Sequence, residues 1–464
     1  MTRMFRLALL VALVGVIDLV AIGADPQQPP TPVSQSPTPT PTPQQPTDIT
    51  TTLTGAGGAP QMAVPAFVPL TRDEATLAAA RTISQVLFDD LTFEREFALI
   101  PRDTYSSIPA ASSLDDVVFD RWRELNIDGL VIGTVQVAEG VLTLEVRLLN
   151  VRTRQQAFGR RYTGSPADLR LYAHTVSDEL HQQQRALRGV ARTKLTFVSD
   201  RDGDRLAGTI ENRGVKEIYF SDYDGENARR LTVGRTLNIT PTWSPDGRSI
   251  AYTSYRRGVP NIFISNIYQG TLEELTKDAG NNFLPAWSPD GKRLCFMSTR
   301  DGNPELYVVN RDGSNILRLT THPSIDEAPT WSPSGTQIAF TSDRSGSPQI
   351  YIVDADGLGL QKITLESYAD RPTWSPPPYN EIAYTARAGR SLDLKVVNMA
   401  TREVRQLTFG EGDNESPAWA PNGRHLAFVS TRTGRKQIFT VAGDGKNVRQ
   451  VTRSGNNSYP DWSK

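Results

Sequence analysis

The chain of 464 residues has one cysteine, Cys295, and four histidines. A single thiol excludes an intramolecular disulfide and any cysteine-based metal framework. Lysine plus arginine (50) nearly balances aspartate plus glutamate (51), so no global field draws the chain to nucleic acid or an anionic membrane surface. Partners must be recognised by local shape. Catalytic motifs are also lacking: there is no Gly-x-Ser-x-Gly elbow, no His-Glu-x-x-His and no phosphate-binding glycine loop. His174 and His181 share a helical face without a third ligand nearby, and His322 and His425 have no recognisable nucleophile beside them. These absences predict a protein without enzymatic activity, cofactor or metal.

Long apolar runs are missing except at the start. Arg3 and Arg6 precede an apolar stretch from Leu7 to Val20, interrupted by Asp18 and ending Ala-Ile-Gly-Ala24. This reads as a secretory signal peptide over 1–24, cleaved after Ala24, with no cysteine there to carry a lipid anchor. Residues 25–62 follow as a Pro/Thr-rich linker; nine prolines between Pro26 and Thr47 give a polyproline-like tether with nothing to bury.

From 63 to 190 helical and strand patterns alternate, which predicts an α/β domain. Asp73 to Leu91 reads as a helix with Leu77, Ile83, Leu87 and Leu91 near one-turn spacing, and Leu114 to Leu125 as a second, with Val118, Trp122 and Leu125 on one face. Gly129 to Tyr162 alternates as a three-stranded meander, and a helix from Pro166 to about Leu187 closes the domain.

What dominates the rest is repetition. Tryptophans 243, 287, 331, 374, 419 and 462 recur at intervals of 43 to 45 residues, each within Pro-x-Trp and in two cases within the full Pro-x-Trp-Ser-Pro-Asp-Gly. Each unit reads as four short strands joined by Pro-Asp-Gly, Ser-x-Arg and Asp-Gly turns, the pattern of a β-propeller blade. The repeats open out of phase: Lys194 to Arg201 matches a second strand, and Tyr459 to Ser463 supplies a tryptophan strand with nothing after it. Joined, they give six blades over 191–464, closed by one strand from each end, which leaves no open edge. The fold expected is thus an α+β N-terminal domain followed by an all-β six-bladed β-propeller closed by the C-terminal tryptophan strand. Cys295 falls where other repeats carry alanine and reads as core filler. Blade one carries an insertion, Gly203 to Val215, and blade five replaces Pro-Asp-Gly by Pro376-Pro-Pro-Tyr-Asn380 and Ser-x-Arg by Ala386-Arg-Ala. The recurring Asp200, Asp301 and Asp343 beside arginine read as bridges between blades.

Function concentrates in loops on a rigid scaffold. Six loops meet at the mouth of the central channel: 235–240, 279–284, 322–328, 366–371, 411–416 and 454–459. They bring Asn238, Thr240, Asn282, Asp326, Glu327, Asp370, Arg371, Asn414, Glu415, Asn457 and Tyr459 to one face, a hydrogen-bonding ring with an acidic excess. This is the expected partner-binding site. No loop has a calcium-binding spacing, so a channel cation is not predicted.

Three features together resemble the TolB family of the Tol-Pal system: the signal peptide; the α/β segment with Trp122-Arg-Glu-Leu-Asn-Ile-Asp-Gly129, Val146-Arg-Leu-Leu-Asn-Val151 and Leu171-Tyr-Ala-His174; and the six Pro-x-Trp blades. The resemblance implies a monomeric, non-enzymatic periplasmic adaptor, peripheral to membranes. It would bind the peptidoglycan-associated lipoprotein Pal at the propeller face and TolA through the N-terminal region, supporting outer-membrane integrity and cell division. The family's loop histidine has no counterpart here, since Leu237 to Thr240 occupies its place, and the Pro/Thr tether replaces a short mature peptide. The alternatives are the propeller of a secreted hydrolase and a propeller that binds glycan or another exported protein.

Overall fold

The computed structural model describes residues 42–44, 52–53, 58–204, 215–277 and 280–464; the expected signal peptide, most of the expected linker and the centre of the blade-one insertion lie outside them. The chain divides between Arg192 and Thr193 into two compact units. Among the described residues no helix is long and apolar enough to cross a membrane.

The first unit is a sheet of seven strands: β1 (Thr42–Gln44), β2 (Gln61–Ala63), β3 (Val68–Pro69), β4 (Ala98–Leu99), β5 (Gly129–Ala138), β6 (Val141–Asn150) and β7 (Gln156–Gly164), in the order β1-β7-β6-β5-β2-β4 with β3 beside β5. The predicted meander is β5-β6-β7. Helices α1 (Glu74–Glu94) and α3 (Leu169–Arg185) start at aspartates whose carboxylates accept from backbone N–H groups, Asp73 from Thr76 at 2.9 Å and Asp168 from Leu171 at 3.1 Å. Ile83, Leu87 and Leu91 are buried in the core with Val176 and Leu180. Leu77, expected on that face, is exposed.

The helix expected over Leu114 to Leu125 forms only at α2 (Phe119–Glu124). Ser112 donates through Oγ to Asp116 at 2.7 Å, a local side-chain bond that competes with helix, and Val118 is exposed. Trp122 is buried against Tyr105, as a core residue should be. The unit also takes in part of the stretch expected as linker. Thr42–Gln44 pairs with β7, and Leu53 is buried with its N–H donating to Gln184 Oε1 at 3.0 Å. Leu53 and Met62 are the apolar side chains that make this inclusion favourable.

The second unit is six four-stranded antiparallel sheets. Within each the order from the inside is the tryptophan strand, the second, the third and an outer strand of two or three residues. Such short outer strands offer little edge for pairing. Blade one takes its inner strand, Asn457–Trp462, from the C-terminus and pairs it with Lys194–Ser199. Each inner strand packs against the next all the way round, including that of blade one against that of blade two, so the ring is closed. Trp462 is buried and its Nε1 donates to Thr193 Oγ1 at 2.7 Å.

The Pro-Asp-Gly turns form as expected, with Gly247 and Gly291 at φ 65° and 69° and Ser244 donating to Asp246 at 2.5 Å. In blade five the substituted turns accompany a hairpin of two eight-residue strands, and Trp374 is only half-buried. Cys295 is fully buried between Ala286 and Val308, and burial pushes its thiol well above the usual range.

Candidate functional site: the channel mouth

Each inner strand breaks register at its third residue, between Ile239 and Thr242 in blade two and at the equivalent place in the other five. That residue has a left-handed backbone in every case: Thr240, Leu284, Ala328, Arg371, Ser416 and Tyr459, with φ between 51° and 55°. A bulge of this kind re-aims a side chain, and six in register line one ring. Their backbone donors find partners in the neighbouring blade. Leu284 N donates to Thr253 Oγ1 (3.3 Å), Arg371 N to Thr341 Oγ1 (3.1 Å) and Ser416 N to Thr385 Oγ1 (3.0 Å).

Arg371 is the centre of this ring's electrostatics. Its guanidinium reaches past blade six to stack on Tyr459 of blade one, 4.6 Å from the ring centre. Burial works against its charge, but Tyr459, Asp370, Glu327 and Glu415 outweigh burial and hold Arg371 above its ordinary value. Asp370 accepts from Thr341 Oγ1 at 2.9 Å and from Tyr368 OH at 2.9 Å, and Glu415 accepts from Lys436. Glu327, Asp370 and Glu415 thus stand among Arg371, Lys436 and Arg387, the last lying over the Tyr368 ring whose hydroxyl bonds Asp370. Such a surface offers carboxylates and other hydrogen-bonding groups to a partner.

The expected site residues therefore divide. Glu327, Asp370, Arg371, Glu415 and Tyr459 come together at the channel, whereas Thr240, at the matching bulge position, is buried with its Oγ1 3.1 Å from Thr253 Oγ1. Asn238, Asn282, Asp326, Asn414 and Asn457 do not present side chains to a partner, because all five are buried. They begin the inner strands, and the asparagines pair with a residue near the start of the preceding blade's third strand, as Asn414 does with Asp393 at 3.0 Å. They recur with the tryptophans because they are architecture, a signal the period itself contained.

Two other repeat features differ from expectation. The Ser-x-Arg arginines and their aspartates act within a blade, not between blades. Arg344 lies over Phe340 and Tyr351, and Asp343 Oδ1 accepts from Ile325 N at 3.0 Å, on the chain entering its own blade. Asp200 likewise accepts from Asn456 N at 2.6 Å. The threonine ending each outer strand was missed: Thr364 Oγ1 accepts from Ile350 N and donates to Gln349, and Thr408 does the same with Leu394 and Asp393. The recurring Leu-Thr, Ile-Thr or Val-Thr step was its trace. In the first unit, His174 Nδ1 bonds to Asp90 and His181 Nδ1 donates to Ser177 O, each at 2.8 Å. No cluster suited to a metal occurs among the described residues.

The architecture is that of a closed six-bladed β-propeller with a bulge-lined channel mouth. Residues 182–464 match the family described as TolB beta propeller domain, and residues 51–157 the TolB amino-terminal domain. The chain belongs to the TolB family. It is 34% identical over 185 residues to the Tol-Pal system protein TolB of Desulfosudis oleivorans, covering 39% of this chain and 40% of the relative. It is 38% identical over 168 residues to that of Geobacter sulfurreducens, covering 36% of each. These matches span about two-fifths or less of the relatives' length. The solved structure of TolB from Acinetobacter baumannii superposes with a TM-score of 0.74 at 25% identity, over 87% of this chain and 96% of that one.

Proposed function

We propose that this protein is a non-enzymatic periplasmic adaptor of the Tol-Pal system, which binds the lipoprotein Pal at the channel mouth and TolA through its N-terminal region. In this role it supports outer-membrane integrity and cell division. The observation that carries the reading is the ring of left-handed inner-strand residues with Glu327, Asp370 and Glu415 gathered around Arg371 and Tyr459. A rigid scaffold that spends backbone strain on presenting side chains at one mouth is built for recognition. Membership of the TolB family supports the identity of the partners.

The test is a pull-down from envelope extract with the purified full chain. Recovery of Pal by the wild type, and its loss when Glu327 and Glu415 are both changed to lysine, is the expected result. Recovery undiminished in that variant would place the binding surface elsewhere.

A further inference from the structure

At four of the six blade boundaries the asparagine that begins the incoming inner strand meets a residue near the start of the preceding blade's third strand. Asn238 Nδ2 donates to Glu217 Oε2 at 2.7 Å, Asn414 Nδ2 to Asp393 Oδ1 at 3.0 Å and Asn457 Nδ2 to Gln437 Oε1 at 2.9 Å. Asn282 pairs with Asn261 at 2.9 Å. In two of these the amide oxygen takes an arginine of its own blade: Arg432 Nη2 donates to Asn414 Oδ1 at 3.1 Å and Arg201 Nη2 to Asn457 Oδ1 at 3.2 Å. One amide accepts inside its blade and donates across the boundary. Both of its polar atoms are used.

Blade five begins its inner strand with Ala369, and the boundary between blades three and four departs in a different way. There the inner strand begins with Asp326, and Arg344 Nη2 donates to its Oδ2 at 2.6 Å, as the arginines do elsewhere. The other oxygen, Oδ1, is buried without a hydrogen-bond partner. The third-strand residue at this boundary is Glu305, also fully buried. Its Oε1 accepts from Arg318 Nη2 and Asn303 Nδ2, each at 3.1 Å, and its Oε2 accepts from Thr320 Oγ1 at 2.5 Å. Asp326 stands where Asn238 and Asn414 donate to a carboxylate, and an ionised Asp326 has no hydrogen to offer Glu305. Carboxyl pairs that share a site resolve this by keeping one proton.

We propose that Asp326 keeps its proton and donates it in a hydrogen bond to Glu305, which replaces the asparagine amide in fastening blade four to blade three. Burial pushes the Asp326 carboxyl up, with Ser342 and Arg344 opposing it and Glu305 adding to it. The charged and titratable groups facing the pair are Arg344, Arg318, Asp301, which shares Arg318, Asp343 and His322. The mouth loop rests on the same boundary: Asn303 Nδ2 also donates to the carbonyls of His322 at 2.7 Å and Ser324 at 3.2 Å. A carboxyl held above its unfolded value contributes stability that is complete below that value, 3.8 for aspartate, and is lost as pH rises through the folded value. Alkaline conditions should therefore loosen this boundary, whatever the face binds.

Thermal unfolding of the full chain and of Asp326→Asn, from about pH 4 to about pH 9, tests this. The variant rebuilds the asparagine-to-carboxylate contact of two other boundaries. It should melt about 2–4 °C higher at alkaline pH, with the difference closing toward the acid end. In the infrared difference between the two proteins at about pH 4, the wild type should contribute the C=O stretch of a protonated carboxylic acid. A melting difference that is constant with pH, a variant that melts lower at alkaline pH, or absence of the carboxylic acid band would each overturn the proposal.

Discussion

Asp461 stands where the other inner strands carry threonine or alanine before tryptophan. Its Oδ2 accepts from Trp243 N at 2.7 Å, so a carboxylate from the C-terminal strand of blade one holds the inner strand of blade two. Burial raises its pKa to about 6, against the opposing pull of the Trp243 and Thr242 donors. The unfolded value is 3.8, so its contribution is complete below that and lost as pH rises through about 6. Asp461→Asn keeps an oxygen for the Trp243 N–H and removes the titration. Wild type and variant should melt alike near pH 4, and the wild type should fall progressively behind up to about pH 7. A melting-temperature series at constant ionic strength checks this; parallel curves would mean that burial of Asp461 has no energetic consequence. The two proton-linked boundaries lie on different blades, so each variant subtracts its own titration.

At the scale of the element, the informative unit is the bulged inner strand. Six non-glycine residues in the left-handed region cost about 1–2 kcal/mol each, and the ring carries them because the bulge turns side chains into the mouth. Ala328, at φ 52° and buried, presents only a methyl group. Ala328→Gly should stabilise the propeller by up to about 1 kcal/mol, relief of strain exceeding the added unfolded-state entropy; denaturant unfolding at constant m-value measures it. A loss of stability would show that the bulge is not strained. These strands also mark how far sequence reasoning reaches. The tryptophan period and the turn residues made blade number, strand order and closure legible, because they are local and repeat. Arg371 and Tyr459 were legible as mouth residues, but their left-handed backbone was not, since no glycine or asparagine announces it. Asn238 and Asn414 were misplaced on the surface because an asparagine before a strand looks alike whether it faces solvent or a buried carboxylate. Leu114 to Val118 failed as helix for a local reason, the Ser112–Asp116 bond.

For the whole molecule, closure by strands from both ends makes the ring one cooperative object. Removing residues 457–464 takes away the inner strand of blade one, its pairing with Lys194–Ser199 and the Trp462–Thr193 bond. Trp462 alone contributes about 2–3 kcal/mol of apolar burial. The truncated chain should lose its single cooperative melt and melt lower; an unchanged transition would show that the ring does not depend on its closing strand. The account's central claim is that the channel mouth of this closed ring is a binding face. Calorimetric titration of the full chain with the soluble domain of Pal tests it most directly. The account predicts saturable one-to-one binding that weakens at least tenfold, about 1.4 kcal/mol, when Glu327 and Glu415 become lysine. Leu358→Lys, at an exposed turn on the opposite end of blade four, should leave affinity unchanged. Absence of binding, or equal affinity in the mouth variant and the wild type, would contradict it.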